Sequence, residues 1–291
     1  MDPHALKPLD DQAIDRLHAR VTAGSASLAD LTRLVALLRR HGQDDAVPPV
    51  LHRFASTSDR ADAGAHAEAG YVLLHVGKTG GTYTAGVLDR LTPAGAILFL
   101  PHAFDLPMAR TAWPRRRILF GVRAPAEIFV SGFYSRRRRG RPRHDLPWSP
   151  EERTAFTRFA TPNQLAEGLS AADDEVRRAA TAAMAAITHV ARGLHGYLGP
   201  VPTLRAEAAH VAFVFRQSDL DADLSQFLSR SFGQDVGPPS ASARERHSNP
   251  PGLDVHLSPL ATENLARWYA PDDEIYAECL RLAATRRGED R

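Results

Sequence analysis

Apolar residues recur at helical spacing from the start of the chain: Ile14, Leu17 and Val21, then Leu28, Leu31, Leu34, Val35 and Leu38. That is the stripe of amphipathic helices, and the second stripe stops at Arg39-Arg40 and Gly42, a normal C-terminal signal. Between Ala46 and Gly70 apolar anchors thin out among Pro, Ala, Ser and Asp, which reads mostly as linker. The pattern then changes period. Tyr71 to Val76 is a short apolar run of the kind a buried strand makes, and Ala96–Leu100, Arg117–Val122 and His210–Phe215 are three more. Helical spacing returns between them. It runs over Thr84–Leu91, from Pro125 through Ile128, Phe129 and Phe133, over a long Asp173–Leu194 segment, over Leu220–Phe232, and in one or two closing helices over Leu257–Leu282. Apolar strands alternating with helices predict an α/β fold with a central parallel sheet flanked by helices. The organisation expected is a helical extension and linker over residues 1–69, followed by one domain over residues 70–291.

Bulk properties narrow the partners. A net charge of +2 gives no global affinity for polyanions, although residues 136–143 form a strongly basic tract. No apolar run approaches the roughly 20 residues that span a bilayer, and the first dozen residues lack the apolar stretch of a signal peptide. With Cys279 as the single cysteine, an internal disulfide and a cysteine metal cluster are both excluded. The expectation is a cytoplasmic protein without a membrane span.

The chemistry gathers where strand runs end. After Tyr71–Val76 comes Gly77-Lys78-Thr79-Gly80-Gly81-Thr82-Tyr83, and then a helix. A strand, a glycine-rich turn and a helix N-terminus aim backbone N–H groups at a phosphate or sulfate. Lys78 adds a mobile positive charge, and Thr79 and Thr82 add hydroxyls. The order differs from the nucleoside-triphosphate loop, whose first glycine would fall on Val72 inside the strand. Two other runs end on candidate groups: His102 after the second, Arg123 after the third. Ligands of open α/β sheets bind at such carboxyl ends. His75, inside the first run, reads as a packed histidine, and Glu127 is a lesser candidate base.

These residues carry a resemblance. Leu73-Leu74-His75-Val76-Gly77-Lys78-Thr79-Gly80-Gly81-Thr82-Tyr83 is similar to the 5′-phosphosulfate-binding loop of sulfotransferases that use 3′-phosphoadenosine 5′-phosphosulfate (PAPS). The segment from Gly121 to Tyr134 resembles that family's second signature, with Arg123 and Ser131 in the places that hold the 3′-phosphate. Ala124 stands where the family often has Asp, a departure that touches helix capping more than phosphate contact. Trp268 to Tyr276 resembles the closing helix of carbohydrate-type members. The likeness runs from about Tyr71 to Leu282 and leaves the first 70 residues uncovered.

The resemblance implies a P-loop-like fold and in-line sulfuryl transfer from PAPS to a hydroxyl acceptor, a carbohydrate or glycolipid, with no metal. Lys78, Thr79, Gly80, Gly81, Thr82 and Tyr83 would form the cradle, with Lys78 neutralising the leaving group. Arg123 and Ser131 would hold the 3′-phosphate, and His102 would be the base, its ordinary pKa leaving neutral imidazole near pH 7. Two alternatives stay open: a non-catalytic nucleotide- or polyanion-binding protein of the same fold, and a kinase-like phosphoryl transferase. For the latter, none of the later strand runs ends in the Asp that magnesium would need. Arg139-Gly140-Arg141-Pro142-Arg143 matches a minor-groove DNA motif, but its place after the Arg123–Ser131 helix favours attraction of an anionic ligand. Nucleic acid is therefore not the expected partner. The loops at 216–218 and 244–249 are further weak candidates for closing over a ligand.

Overall fold

A computed structural model describes residues 7–61, 70–142, 144–234 and 252–288. Four strands, β1 (Tyr71–Leu74), β2 (Ile97–Leu100), β3 (Arg117–Val122) and β4 (Val211–Arg216), form one parallel sheet in the order β2-β1-β3-β4, flanked by helices. Each is almost wholly apolar, and Ile118 to Phe120 of β3 are fully buried, as expected for strands covered on both faces. β1 and β2 run in register from Tyr71 opposite Ile97 to Leu74 opposite Leu100, so their carboxyl ends are level. His75 therefore lies just past the end of β1 rather than inside it.

The chain divides into two compact units, and the boundary falls within β3 and β4. The first unit holds residues 1–75, 92–119 and 209–212. In it α1 (Lys7–Ala23), α2 (Leu28–Arg40) and α3 (Val47–Ala61) pack together, and α3 packs on α5 (Leu106–Ala112). The start of α2 is fixed by a capping box. Ser27 Oγ accepts from the Asp30 amide, and Asp30 accepts from the Ser27 amide. Helix α3 corrects the linker reading of residues 46–61. Val47, Val50, Leu51 and Phe54 are all buried, a stripe at i, i+3, i+4 and i+7 that the surrounding prolines and polar residues obscure. Phe54 meets Trp113 edge to face at 5.9 Å, and Trp113 meets the fully buried Phe104 at 5.7 Å. Residues 62–69 lie outside the described residues.

The second unit holds residues 76–91, 120–208 and 213–291. Its centre is α6 (Pro125–Arg137), whose Phe129 and Phe133 are fully buried against Phe156, Met184, Ile187 and Leu265. As Ala124 requires, α6 has no side-chain N-cap; Pro125 in the first turn and this packing sustain it. The segment after the arginine tract contains α7 (Pro150–Arg158) and α8 (Pro162–Gly168), the first opened by a Ser149–Glu152 capping box. The single helix expected over 173–194 is two, α9 (Asp174–Ala186) and, after extended Ile187, α10 (Thr188–Ala191); α11 (His195–Leu198) follows beyond it. Ile187 turns the chain there because its own side chain belongs in the core and α10 must pack against α6. Short α12 (Val201–Ala206) precedes β4, and α13 (Leu220–Phe232), α14 (Pro259–Trp268) and α15 (Ala270–Arg287) complete the unit. Among the described residues no helix is long and apolar enough to cross a membrane.

Candidate active site

The loop after β1 belongs to the second unit from Val76 onward, and its shape is set by three local demands. Thr79 is fully buried, and its hydroxyl donates to the Val76 carbonyl at 2.9 Å, closing the turn from inside. Gly121 in β3 makes room for it: a Cβ there would lie 2.8 Å from Thr79 Oγ1 and 3.0 Å from its carbonyl oxygen. Gly80 has φ +86°, which favours glycine, and a Cβ there would lie 2.7 Å from Leu220. Helix α4 (Gly81–Leu91) then begins at the second glycine, with Thr84 N–H donating to the Gly80 carbonyl. The amides opening this eleven-residue helix are the ones without partners inside it. Thr84 Oγ1, in the same first turn, is buried with no hydrogen-bond partner among the described residues.

Lys78 carries the electrostatic signature. Its φ is +64°, a left-handed conformation costing a residue with a Cβ about 1–2 kcal/mol. Burial, then the Arg138 charge, then the Arg123 charge lower its pKa from 10.5 to about 8. A strained, desolvated cation beside two others is stable against an anion and costly without one.

Arg123, directly after β3, donates from Nε to Glu127 at 2.9 Å, one helical turn on. Among the described residues its two Nη groups have no partner. Ser131 is buried in α6, and its hydroxyl has no hydrogen bond among the described residues, although a helical serine ordinarily bonds back to the preceding turn. Both therefore keep donors for a ligand. Glu127 is exposed and accepts from Arg123. Thr82 is half-buried at the helix start. Tyr83 gives its hydroxyl to Asp221 at 2.8 Å, which leaves its backbone N–H as what it can offer the loop.

The arginine tract does not act as one patch. Arg136 is a core residue: its guanidinium donates to buried Glu152 from Nε at 2.7 Å and from Nη2, and Glu152 also accepts from Ser149 and Thr188. Arg137 donates to the Phe159 carbonyl, and Arg139 and Arg141 both pair with Asp145. Arg138, at the end of α6, is the member whose charge reaches Lys78. Nothing in a run of arginines singles it out. The tract is folded into a turn, with Gly140 N–H on the Ser135 carbonyl and Leu146 N–H on that of Arg139, so it is not the extended strand that follows a minor groove. Arg143 and residues 244–249 lie outside the described residues. Arg216 is tied to buried Asp223 through its backbone N–H at 2.7 Å and its guanidinium at 2.7 Å, a structural use.

His102 belongs to the first unit, two residues past β2. It is exposed, its Nδ1 lies 2.9 Å from the His75 carbonyl oxygen, and the His75 and His102 rings stack with centroids 3.8 Å apart. A carbonyl only accepts, so Nδ1 is the donor, and in the neutral ring the lone pair sits on Nε2. His75 is thus half-buried and engaged with His102 rather than packed in the core. Sequence periodicity offers no signal for this pairing of adjacent strand ends.

No protein-family model, curated protein or solved structure matches the chain.

Proposed function

We propose that the chain is a PAPS-dependent sulfotransferase with a P-loop-like fold, acting on a hydroxyl acceptor, a carbohydrate or glycoconjugate. The observation that carries the reading is Lys78: left-handed, desolvated and flanked by Arg138 and Arg123 on a loop that ends in the first amides of α4. The donor set suits a nucleotide bearing two separate anionic groups. Lys78 and the amides of Thr79 to Tyr83 face one group, and Arg123 Nη with the Ser131 hydroxyl supply the other. When bound, PAPS supplies the sulfuryl group and leaves as 3′-phosphoadenosine 5′-phosphate.

Lys78 neutralises charge that grows on the leaving phosphate, and preorganised amides hold it without waiting for water to reorient. His102 takes the acceptor's proton on Nε2, the nitrogen that its bond to His75 leaves basic. The amides of the loop bind and orient, Arg123 and Ser131 fix the nucleotide, and Thr79 keeps the turn closed.

Calorimetry with 3′-phosphoadenosine 5′-phosphate in the presence of a metal chelator tests the site. Binding is expected, weakened roughly 10- to 100-fold in Arg123→Ala, the size of a hydrogen bond to a charged group, and less in Ser131→Ala. Unchanged affinity in both variants removes the 3′-phosphate site. His102→Ala is expected to bind the nucleotide as the parent does and to transfer no sulfate from labelled PAPS to a cell extract.

A further inference from the structure

We infer that the N-terminal helices are a working part of this enzyme: Arg39 of α2 is a positioning residue that braces the turn carrying His102. The inference rests on the base assigned above, and its evidence lies within the first unit. The turn runs from Pro101 to Asp105 and is held from several sides. Phe104 N–H donates to the Pro101 carbonyl at 3.1 Å, and the Phe104 side chain is fully buried against Trp113, which α3 covers with Phe54. His75 holds the imidazole from beneath by ring and carbonyl. Arg39 adds a further hold. Its Nη1 donates to the carbonyl of Ala103, the residue after His102, at 2.8 Å, and its Nη2 donates to Asp105 Oδ2 at 3.0 Å.

This arrangement is more than a surface ion pair. Asp105 is also the N-cap of α5, accepting from the Met108 amide through Oδ1 at 2.9 Å. One carboxylate therefore links α2 to the start of α5, and one guanidinium spans both a backbone carbonyl and that carboxylate. A planar fork with donors in fixed directions does this; an ammonium reaches one acceptor at a time. Arg39 lies 64 residues before Ala103, so the contact exists only because α2 and the turn are folded into one unit. With the turn fixed, the distance from His102 Nδ1 to the His75 carbonyl is fixed too, and with it the tautomer that makes Nε2 the base. Released, the turn lets the ring rotate and lose that bond.

The test uses the full chain with 15N-labelled histidine. Ring-nitrogen NMR of neutral His102, assigned by its disappearance in His102→Gln, reads the tautomer directly. Expected in the parent is Nδ1–H; in Arg39→Met the signal moves toward the averaged tautomers of a free imidazole. Turnover of labelled PAPS with cell extract falls roughly 10- to 100-fold, the cost of a reacting group displaced by about an ångström. The KM for PAPS and the calorimetric affinity for 3′-phosphoadenosine 5′-phosphate stay at parental values, and Arg39→Lys recovers part of the loss. If Arg39→Met does not fold, Asp105→Asn decides, since Asn still caps α5 while losing the charge that holds Nη2. Parental tautomer and turnover in the folded variant overturn the inference. Should His102→Gln turn over normally, the base assignment fails instead, and the tautomer signal alone decides whether Arg39 fixes the turn.

Discussion

Replacing Lys78 by methionine tests whether this site is built at the expense of stability. In the folded, ligand-free protein burial and the Arg138 and Arg123 charges hold Lys78 at about 8, against 10.5 for the ordinary side chain. Between those values the unfolded chain binds the extra proton, so this residue makes the fold more stable as pH rises from about 8 to 10.5 and destabilises it by its full amount below 8. At about 1.4 kcal/mol per pH unit the full amount is about 3 kcal/mol. Lys78→Met keeps the length and apolar body of the side chain without the charge. Urea unfolding at pH 7 is therefore expected to find the variant more stable by up to about 3 kcal/mol, with the advantage shrinking through pH 9 and gone by pH 11. The same variant is expected to bind 3′-phosphoadenosine 5′-phosphate roughly 10- to 100-fold more weakly, because a charge-assisted hydrogen bond is lost. A variant less stable than the parent at pH 7, or a difference that ignores pH, refutes the reasoning. Lys78 would then be an ordinary solvated lysine.

Other expectations follow from the same geometry. In the parent, affinity for 3′-phosphoadenosine 5′-phosphate should fall as pH rises through about 8, because deprotonated Lys78 no longer attracts the anion; calorimetry at pH 7 and 9.5 reads this, and a flat profile contradicts it. Glu152→Gln leaves the buried Arg136 guanidinium without its counter-charge and should cost about 3–5 kcal/mol in urea unfolding. Burial opposes ionisation of Glu152, but the bonds from Arg136, Thr188 and Ser149 outweigh it and hold its pKa at about 2, below its ordinary 4.5. Its contribution is therefore complete above about pH 4.5 and lost as pH falls toward 2, and in Glu152→Gln that acid dependence should be reduced. Tyr83→Phe removes the bond to Asp221 and should cost about 1 kcal/mol of stability with nucleotide affinity unchanged, since the backbone N–H remains.

Much of the frame was legible along the chain. Continuous apolar runs marked all four strands because a parallel strand buried on both faces has no polar side to show. The Gly-Lys-Thr-Gly-Gly turn was legible because glycine and threonine there answer local needs: a left-handed φ at Gly80 and an internal cap from Thr79. Helix α3 escaped because its stripe of Val47, Val50, Leu51 and Phe54 begins among prolines, which suit a first turn but look like linker. Helix α9 was overrun because periodicity cannot register a break at Ile187, where an apolar residue is demanded whether or not the helix continues.

The sequence by itself determined the alternation of strands and helices, the strand, glycine-rich turn and helix around Lys78, and the positions of His102, Arg123 and Ser131 at the ends of strands or in the helix beyond. Only the tertiary structure decided how neighbouring like residues divide their work. Arg136 pairs with Glu152, Arg139 and Arg141 with Asp145, and the charge of Arg138 reaches Lys78. His75, apolar by context, became the partner of His102, and Arg39, an ordinary helix-ending arginine, reached across 64 residues to the turn that follows it. The physical reason is one of range. Burial periodicity and turn chemistry are set by the nearest few residues, whereas the partner of a long charged side chain is chosen by elements that become neighbours only when the chain has folded.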